Sequence, residues 1–214
     1  MYRTISIAAF LLVLLILGLN CLFRPCKDCW KHPVRTLIHI FTLLLIEQKL
    51  SLAGVLRKLV YLLALLCFVV LAITGFYPTL VLDEHISGWL LMIHATFAPI
   101  LAICLAVLAV MWAGNCRFEH NDWPWFERFV QRVTLVKSIG DQTNGHSCVW
   151  QKICFWLIIF LALPLILSVV LSMFHIFGTY WQDVLIAIHR YSALAFALAV
   201  VVHIYVLVRV GIKQ

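Results

Sequence analysis

The sequence has 214 residues, of which 64% are hydrophobic and only 12% are charged, and its mean hydropathy is +1.05. Soluble domains carry about a quarter charged residues, so this composition excludes a soluble enzyme and indicates an integral membrane protein. The net charge is +7. The basic residues stand in connections beside apolar segments, where the positive-inside bias explains them, and no nucleic-acid partner is expected.

Five apolar segments are long enough to cross a membrane. They cover residues 5–22, 59–77, 86–113, 153–174 and 184–211. We therefore predict an all-α integral membrane helical bundle with a four-helix core and one extra N-terminal transmembrane helix. In this division, residues 1–22 are the anchor, residues 23–58 are a basic cytoplasmic segment with an interfacial helix, and residues 59–214 are the core.

The distribution of charge predicts the orientation of the bundle. With five spans, residues 23–58, residues 114–152 and the C-terminal end of the chain from Arg209 share one side, and they hold fourteen of the sixteen Lys and Arg residues. The opposite side carries Arg3 and acidic residues that include Asp83 and Glu84. The positive-inside rule then puts the N-terminus outside and the C-terminus in the cytoplasm.

Two histidines mark the last apolar segment. His189 and His203 are fourteen residues apart, which is close to four helical turns, so both imidazoles lie on one face about 21 Å apart along the axis. A polar side chain inside hydrocarbon needs a partner, and histidine is a common metal ligand. The alternative is two histidines packed and satisfied between helices. We favour haem iron as the partner.

Depth in the membrane identifies a facing ligand for His189. His94 lies about seven residues, and His189 about five residues, from the outer end of its own span, so both are about 8 to 11 Å below the outer surface. Two axial ligands of one haem must share a level on facing helices. We therefore predict that His94 and His189 ligate one low-spin haem b, and that Arg190 pairs with a haem propionate.

The inner histidine, His203, lacks an obvious partner. It would ligate a second haem, but no other span carries an intramembrane histidine at its level. Two candidates remain, Tyr61 at the inner end of the second span, because tyrosine also ligates haem iron, and His39 on the interfacial segment. In the alternative, the protein holds one haem and His203 bonds a quinone oxygen.

Three cysteines make a second constellation. Cys21, Cys26 and Cys29 have the spacing C-x4-C-x2-C, which is part of the plant-type iron–sulfur pattern, so a metal or cluster site is one hypothesis and reduced cytoplasmic thiols are the other. Cys26 and Cys29 also suit a rival function, a quinone-linked thiol oxidoreductase. That function leaves the intramembrane histidines unexplained.

Three stretches carry a family resemblance: the segment around His94, the run QKICFW from Gln151, and the fifth-span pattern in which a second histidine follows the first after thirteen residues and precedes Ile-Tyr. They resemble the cytochrome b (gamma) subunit of N-type respiratory formate dehydrogenases and related prokaryotic di-haem cytochromes b. The resemblance covers roughly residues 59–214. It implies that His94 and His189 bind the outer haem and that His203 binds the inner haem.

One departure from this family concerns the inner haem. The family's fourth ligand stands fourteen residues before a Thr/Ser-Gly pair, and counting back from Gly75 gives Tyr61 instead of histidine. The loop before Gln151 is also changed from the family's Asn-containing quinone loop. Both changes fall on the inner, quinone-proximal half.

The resemblance implies a function and its partners. Electrons would pass between an extracytoplasmic iron–sulfur subunit, with its catalytic subunit, and menaquinone or ubiquinone, through haem b, in the bacterial cytoplasmic (inner) membrane and its lipid. The segments outside the membrane, each at most about forty residues, show no phosphate-binding glycine loop and no nucleophile with an orienting base. The chain alone is therefore expected to turn over no soluble substrate.

Overall fold

A computed structural model describes residues 1–23, 52–118, 146–174 and 178–211. Within them the chain forms α-helices and one short π-helix, without a β-strand. The helices are α1 (Tyr2–Phe23), α2 (Leu52–Tyr77), α3 (Gly88–Ala113), α4 (His146–Met173) and α5 (Thr179–Gly211). All five are long and apolar enough to cross a membrane. The predicted all-α membrane bundle, a four-helix core with one additional N-terminal helix, is confirmed.

Two core helices begin earlier than the apolar runs predict. α2 begins at Leu52 rather than near residue 59, and α4 begins at His146 rather than near residue 153. Lys58 and Lys152 therefore lie inside helices. Lysine is a good helix former, so the helix backbone continues through both positions. The end of an apolar run is therefore not the end of the helix.

A π-helix joins α2 to the outer turn. It covers Pro78–Leu82 and ends at Asp83, whose φ of 58° is left-handed. Proline removes a backbone donor, and the wider π turn changes the hydrogen-bonding register at that point. Aspartate is one of the few residue types other than glycine that adopts the left-handed conformation readily. The chain can thus turn back at once into α3.

The four core helices pack as two hairpins. α2 lies along α3 and α4 lies along α5, whereas contacts between α3 and α4 are few. The hairpins meet at mid-depth, where the rings of Phe68 on α2 and Phe196 on α5 are 6.0 Å apart. Phe196 stands seven residues from both His189 and His203. The aromatic contact therefore divides the bundle into two levels. We call the level of His94 and His189 the outer level and the level of His203 the inner level, after the orientation predicted from the charges.

Candidate functional site

The outer level contains two facing histidines, one from each hairpin. The ring centroids of His94 on α3 and His189 on α5 are 6.5 Å apart, and the ring planes are inclined at 76°. Imidazole nitrogens bind metals at about 2.0–2.1 Å with the ring centre roughly 1 Å farther back, so two imidazoles on opposite sides of one metal have centres about 6 Å apart. The observed separation fits two axial ligands of one iron.

Thr74 on α2 orients the ring of His94. The Thr74 hydroxyl donates to the carbonyl of Val70 at 2.8 Å, so its oxygen is left to accept the Nδ1–H of His94, which lies 2.9 Å away. With the proton on Nδ1, the lone pair is on Nε2. Histidines that bind metals are commonly held by such a bond at the other ring nitrogen.

His189 is oriented in the same way, from α4. Its Nδ1 lies 3.0 Å from the carbonyl oxygen of Leu165. A carbonyl can only accept a hydrogen bond, so Nδ1 of His189 is the donor. Nε2 again keeps its lone pair, which is the form in which a neutral imidazole binds a metal. All four core helices therefore contribute to the outer level, two with a histidine and two with the group that holds it.

Gly75 leaves the space that the ring of His94 occupies. A Cβ placed on Gly75 would lie 3.2 Å from Cε1 of His94 and 3.7 Å from its Nδ1, so the ring would have to shift. Sequence reasoning used Gly75 only as a landmark and missed Thr74 and the Leu165 carbonyl. The pair of a hydroxyl residue and glycine inside an apolar helix could have indicated Thr74. Nothing in the sequence indicates which backbone carbonyl, here that of Leu165, accepts a hydrogen bond from a histidine.

Arg190 follows His189 and is partly buried. Its backbone carbonyl accepts a hydrogen bond from the hydroxyl of Tyr2 at 3.1 Å. The acidic residue Asp83 forms its ion pair with Arg3, at 3.1 Å, rather than with Arg190. Asp83 is therefore not the counter-ion of Arg190. The pairing of Arg190 with a haem propionate stays a prediction.

The inner level contains an open apolar cavity lined by residues of the same four helices. Its cavity volume is about 70 Å³, and His203 lines it from α5 while Tyr61 lines it from α2. The Nδ1 atom of His203 is buried and finds no hydrogen-bond partner among the described residues. A buried polar group without a partner is destabilising by roughly 1–3 kcal/mol. A polar group of a ligand bound beside His203 would supply the missing partner.

Tyr61 and His203 come from opposite hairpins. The Tyr61 ring packs against Trp112, with centroids 5.8 Å apart, and both side chains line the cavity. The structure thus brings the inner histidine and its tyrosine candidate to one space. The other candidate, His39, lies outside the described residues.

The cysteine constellation is only partly described. Cys21 is exposed on α1, whereas Cys26 and Cys29 lie outside the described residues. In the part of the chain that the structure covers, no group of three His, Cys, Asp or Glu side chains converges on one point. The cluster hypothesis and the thiol-oxidoreductase hypothesis therefore stay predictions.

A family comparison agrees with the two-level core. The model of the family described as prokaryotic cytochrome b561 matches residues 56–214, a range that includes both levels and excludes α1. Searches among curated proteins and solved structures find no match. Five helices able to cross a membrane, together with this family, fit a multi-pass protein of the inner membrane. The chain belongs to the prokaryotic cytochrome b561 family and is a haem b membrane electron-transfer protein.

Proposed function

We propose that the chain is the haem b subunit of a respiratory oxidoreductase complex, comparable to the gamma subunit of a formate dehydrogenase. It relays electrons between an extracytoplasmic iron–sulfur and catalytic partner and the membrane quinone pool. The main support for this proposal is that α5 carries both His189 of the outer pair and His203, which lines the inner cavity. Their axial separation of about 21 Å extends over most of a hydrocarbon core about 30 Å thick.

At the outer level, His94 and His189 hold a haem b. The haem, when bound, supplies a one-electron iron couple. Thr74 and the Leu165 carbonyl keep both Nδ1 protons engaged, so neither imidazole has to rotate when the charge of the site changes. With both histidines as its ligands, a bound haem iron would be low-spin and would offer no open position to a small molecule. Arg190 offers a cation to a propionate.

At the inner level, His203 ligates a second haem b, with Tyr61 on the opposite hairpin or His39 as the second ligand. Support comes from the buried, unpartnered Nδ1 of His203 and from the apolar walls of the cavity. Menaquinone or ubiquinone exchanges electrons at this cytoplasmic end.

Haem content per polypeptide tests the inner assignment. Two haems are expected in the wild type and one in His203→Ala, and whichever of Tyr61→Phe and His39→Ala also loses a haem identifies the second ligand. One haem in the wild type, unaffected by His203→Ala, would contradict the second haem and leave the cavity to quinone.

The relay itself is tested with purified protein. Chain reduced with dithionite and freed of excess reductant should be reoxidised by a short-chain menaquinone or ubiquinone analogue, and the rate should fall in His203→Ala. Oxidised chain given formate or hydrogen without partner subunits should stay oxidised. Reduction by either donor would place substrate chemistry in this chain and overturn the relay assignment.

A further inference from the structure

α1 contacts α5 directly beside an outer histidine. The Tyr2 hydroxyl donates to the carbonyl of Arg190 at 3.1 Å, and the Tyr2 ring meets the ring of Tyr191 edge-on, with centroids 5.4 Å apart. Arg190 and Tyr191 are the two residues that follow His189. The first turn of α1 is therefore fastened to the helical turn that carries one histidine of the outer pair.

α1 also contacts the other hairpin beside the residues that orient His94. The ring of Phe10 meets the ring of Phe76 edge-on, with centroids 5.3 Å apart, and Phe76 directly follows Gly75. Arg3 donates from Nε to the carbonyl of Leu80 in the π-helix at 3.0 Å. These contacts fasten the same stretch of α1 to the hairpin of α2 and α3.

Among the described residues, the side chains of α1 that pack against the core lie mainly in its outer part. Its less exposed side chains follow the helical periodicity of one face, and from Gly18 to Phe23 every residue is exposed. The members of this face are Tyr2, Arg3, Ser6, Ala9, Phe10, Val13 and Leu17. Ser6, between the two aromatic contacts, is fully buried, as expected where small residues let helices approach closely.

We propose that α1 is a strap that ties the two hairpins together at the level of the outer histidines and thereby sets the distance between His94 and His189. This inference rests on the assignment of those histidines as haem ligands. Contacts between α3 and α4 are few, and the core shared by the hairpins centres deeper, around Phe68 and Phe196. A link through Tyr2 and Phe10 therefore adds a restraint on the hairpin separation at the outer level. α1 lies outside the family match, which begins at residue 56.

Tyr2 and Phe10 are thus positioning residues, and their loss should alter the outer haem without removing its ligands. Loosened hairpins let one imidazole leave the iron, so the reduced protein gains binding of carbon monoxide. Water entering the site favours the charged ferric form, so the midpoint potential falls. A helix that only anchored the chain would change the amount of protein in the membrane and neither of these properties.

The experiment compares Tyr2→Phe and the double variant Tyr2→Phe/Phe10→Ala with two matched controls. Tyr180→Phe removes a hydroxyl from an exposed tyrosine at the outer end of α5, and Leu12→Ala shortens an exposed side chain of α1. Carbon monoxide binding, the low-spin EPR signal and the midpoint potential are measured per retained outer haem. Both strap variants should show a several-fold larger fraction that binds carbon monoxide, and both controls should match the wild type.

A second readout does not need haem. Bio-orthogonal spin labels at Trp89 of α3 and Tyr180 of α5, which are exposed on different hairpins, report the hairpin separation in apoprotein. The double variant should give a longer or broader distance distribution. Unchanged distances in the double variant, together with unchanged haem properties in both variants, would overturn the strap. A wild type without bis-histidine haem, but with distances that broaden in the double variant, would instead reject the ligand assignment and keep the strap.

Discussion

At the scale of single residues, the geometry of His94 depends on two neighbours that are not ligands. Thr74 accepts the Nδ1 proton at 2.9 Å, and Gly75 leaves the space into which the ring fits. The two residues are adjacent on α2 and act on the same ring from one turn of helix. The His94 ring is therefore held by the hydrogen bond to Thr74 and fits the space beside Gly75. A substitution can remove either feature separately.

Thr74→Val should lower the affinity of the outer site for haem while preserving the shape of the site. Valine has nearly the same volume but cannot accept the Nδ1–H of His94, and loss of such an outer hydrogen bond lowers metal affinity by about 10–100-fold. Titration of apoprotein with haem measures the change. Thr96→Val is the matched control, because the Thr96 hydroxyl also bonds a carbonyl of its own helix, that of Met92 at 2.8 Å, yet is exposed. Equal affinities in both variants would contradict the role of Thr74.

Gly75→Ala should displace the His94 ring. The added Cβ would stand 3.2 Å from Cε1, so the imidazole must move by a few tenths of an ångström, and the low-spin EPR signal should shift or split. Gly18→Ala on α1 is the control, since nothing lies within 4 Å of a Cβ placed there, and alanine even raises helix propensity by about 1 kcal/mol. An unaltered signal in Gly75→Ala would show that the ring has more room than the structure gives it.

At the scale of helices, the sequence predicts which histidines share a face and a level, but not which residues of the adjacent helices orient their rings. The spacing of His189 and His203 places both on one face of α5 because helical geometry is fixed, and depth selects His94 as the facing residue. Which residues of α2 and α4 orient these rings depends on rotations about the helix axes. Packing decides those rotations, and apolar runs without a clear polar face do not reveal them.

The inner cavity gives a test at the same scale. Leu105 of α3 lines it, so Leu105→Trp should fill the space and exclude the inner ligand while the outer haem is kept. Val110→Trp adds the same side chain to the same helix at a position that is 83% exposed. Haem content and the rate of oxidation by quinone should fall in the first variant only. Wild-type values for both quantities in Leu105→Trp would mean that the cavity takes no part in electron transfer.

At the scale of the whole molecule, hydropathy is enough to predict five membrane-crossing helices and an all-α bundle. Hydropathy also predicts α1 as an additional helix, but it gives no indication of a role beyond that of an anchor. The contacts of Tyr2 and Phe10 with the core could not be predicted, because Tyr2 precedes the apolar run of the first span and Phe10 is one apolar residue among many within it. The division into two hairpins likewise follows from helix pairing, which short connections suggest but do not fix.

The charge asymmetry makes a prediction about orientation. Because fourteen of the sixteen Lys and Arg residues stand in or beside the connections and the chain end on the side of the C-terminus, that side should be cytoplasmic. A fluorescent reporter that folds only in the cytoplasm, fused after Gln214, should be bright, and a periplasmic phosphatase fused there should be inactive. The reverse pattern would place the outer histidine pair toward the cytoplasm and require a partner on that side.

The central claim is that His94 and His189 hold one low-spin haem b between the two hairpins. The most direct measurement is haem quantification and EPR spectroscopy of purified wild type, His94→Ala, His189→Ala and His85→Ala. The last variant removes an exposed histidine of the outer turn and serves as the control. We predict that each of the first two substitutions removes the same low-spin haem and that His85→Ala keeps it. Full haem content with an unchanged low-spin signal in both His94→Ala and His189→Ala would contradict the assignment.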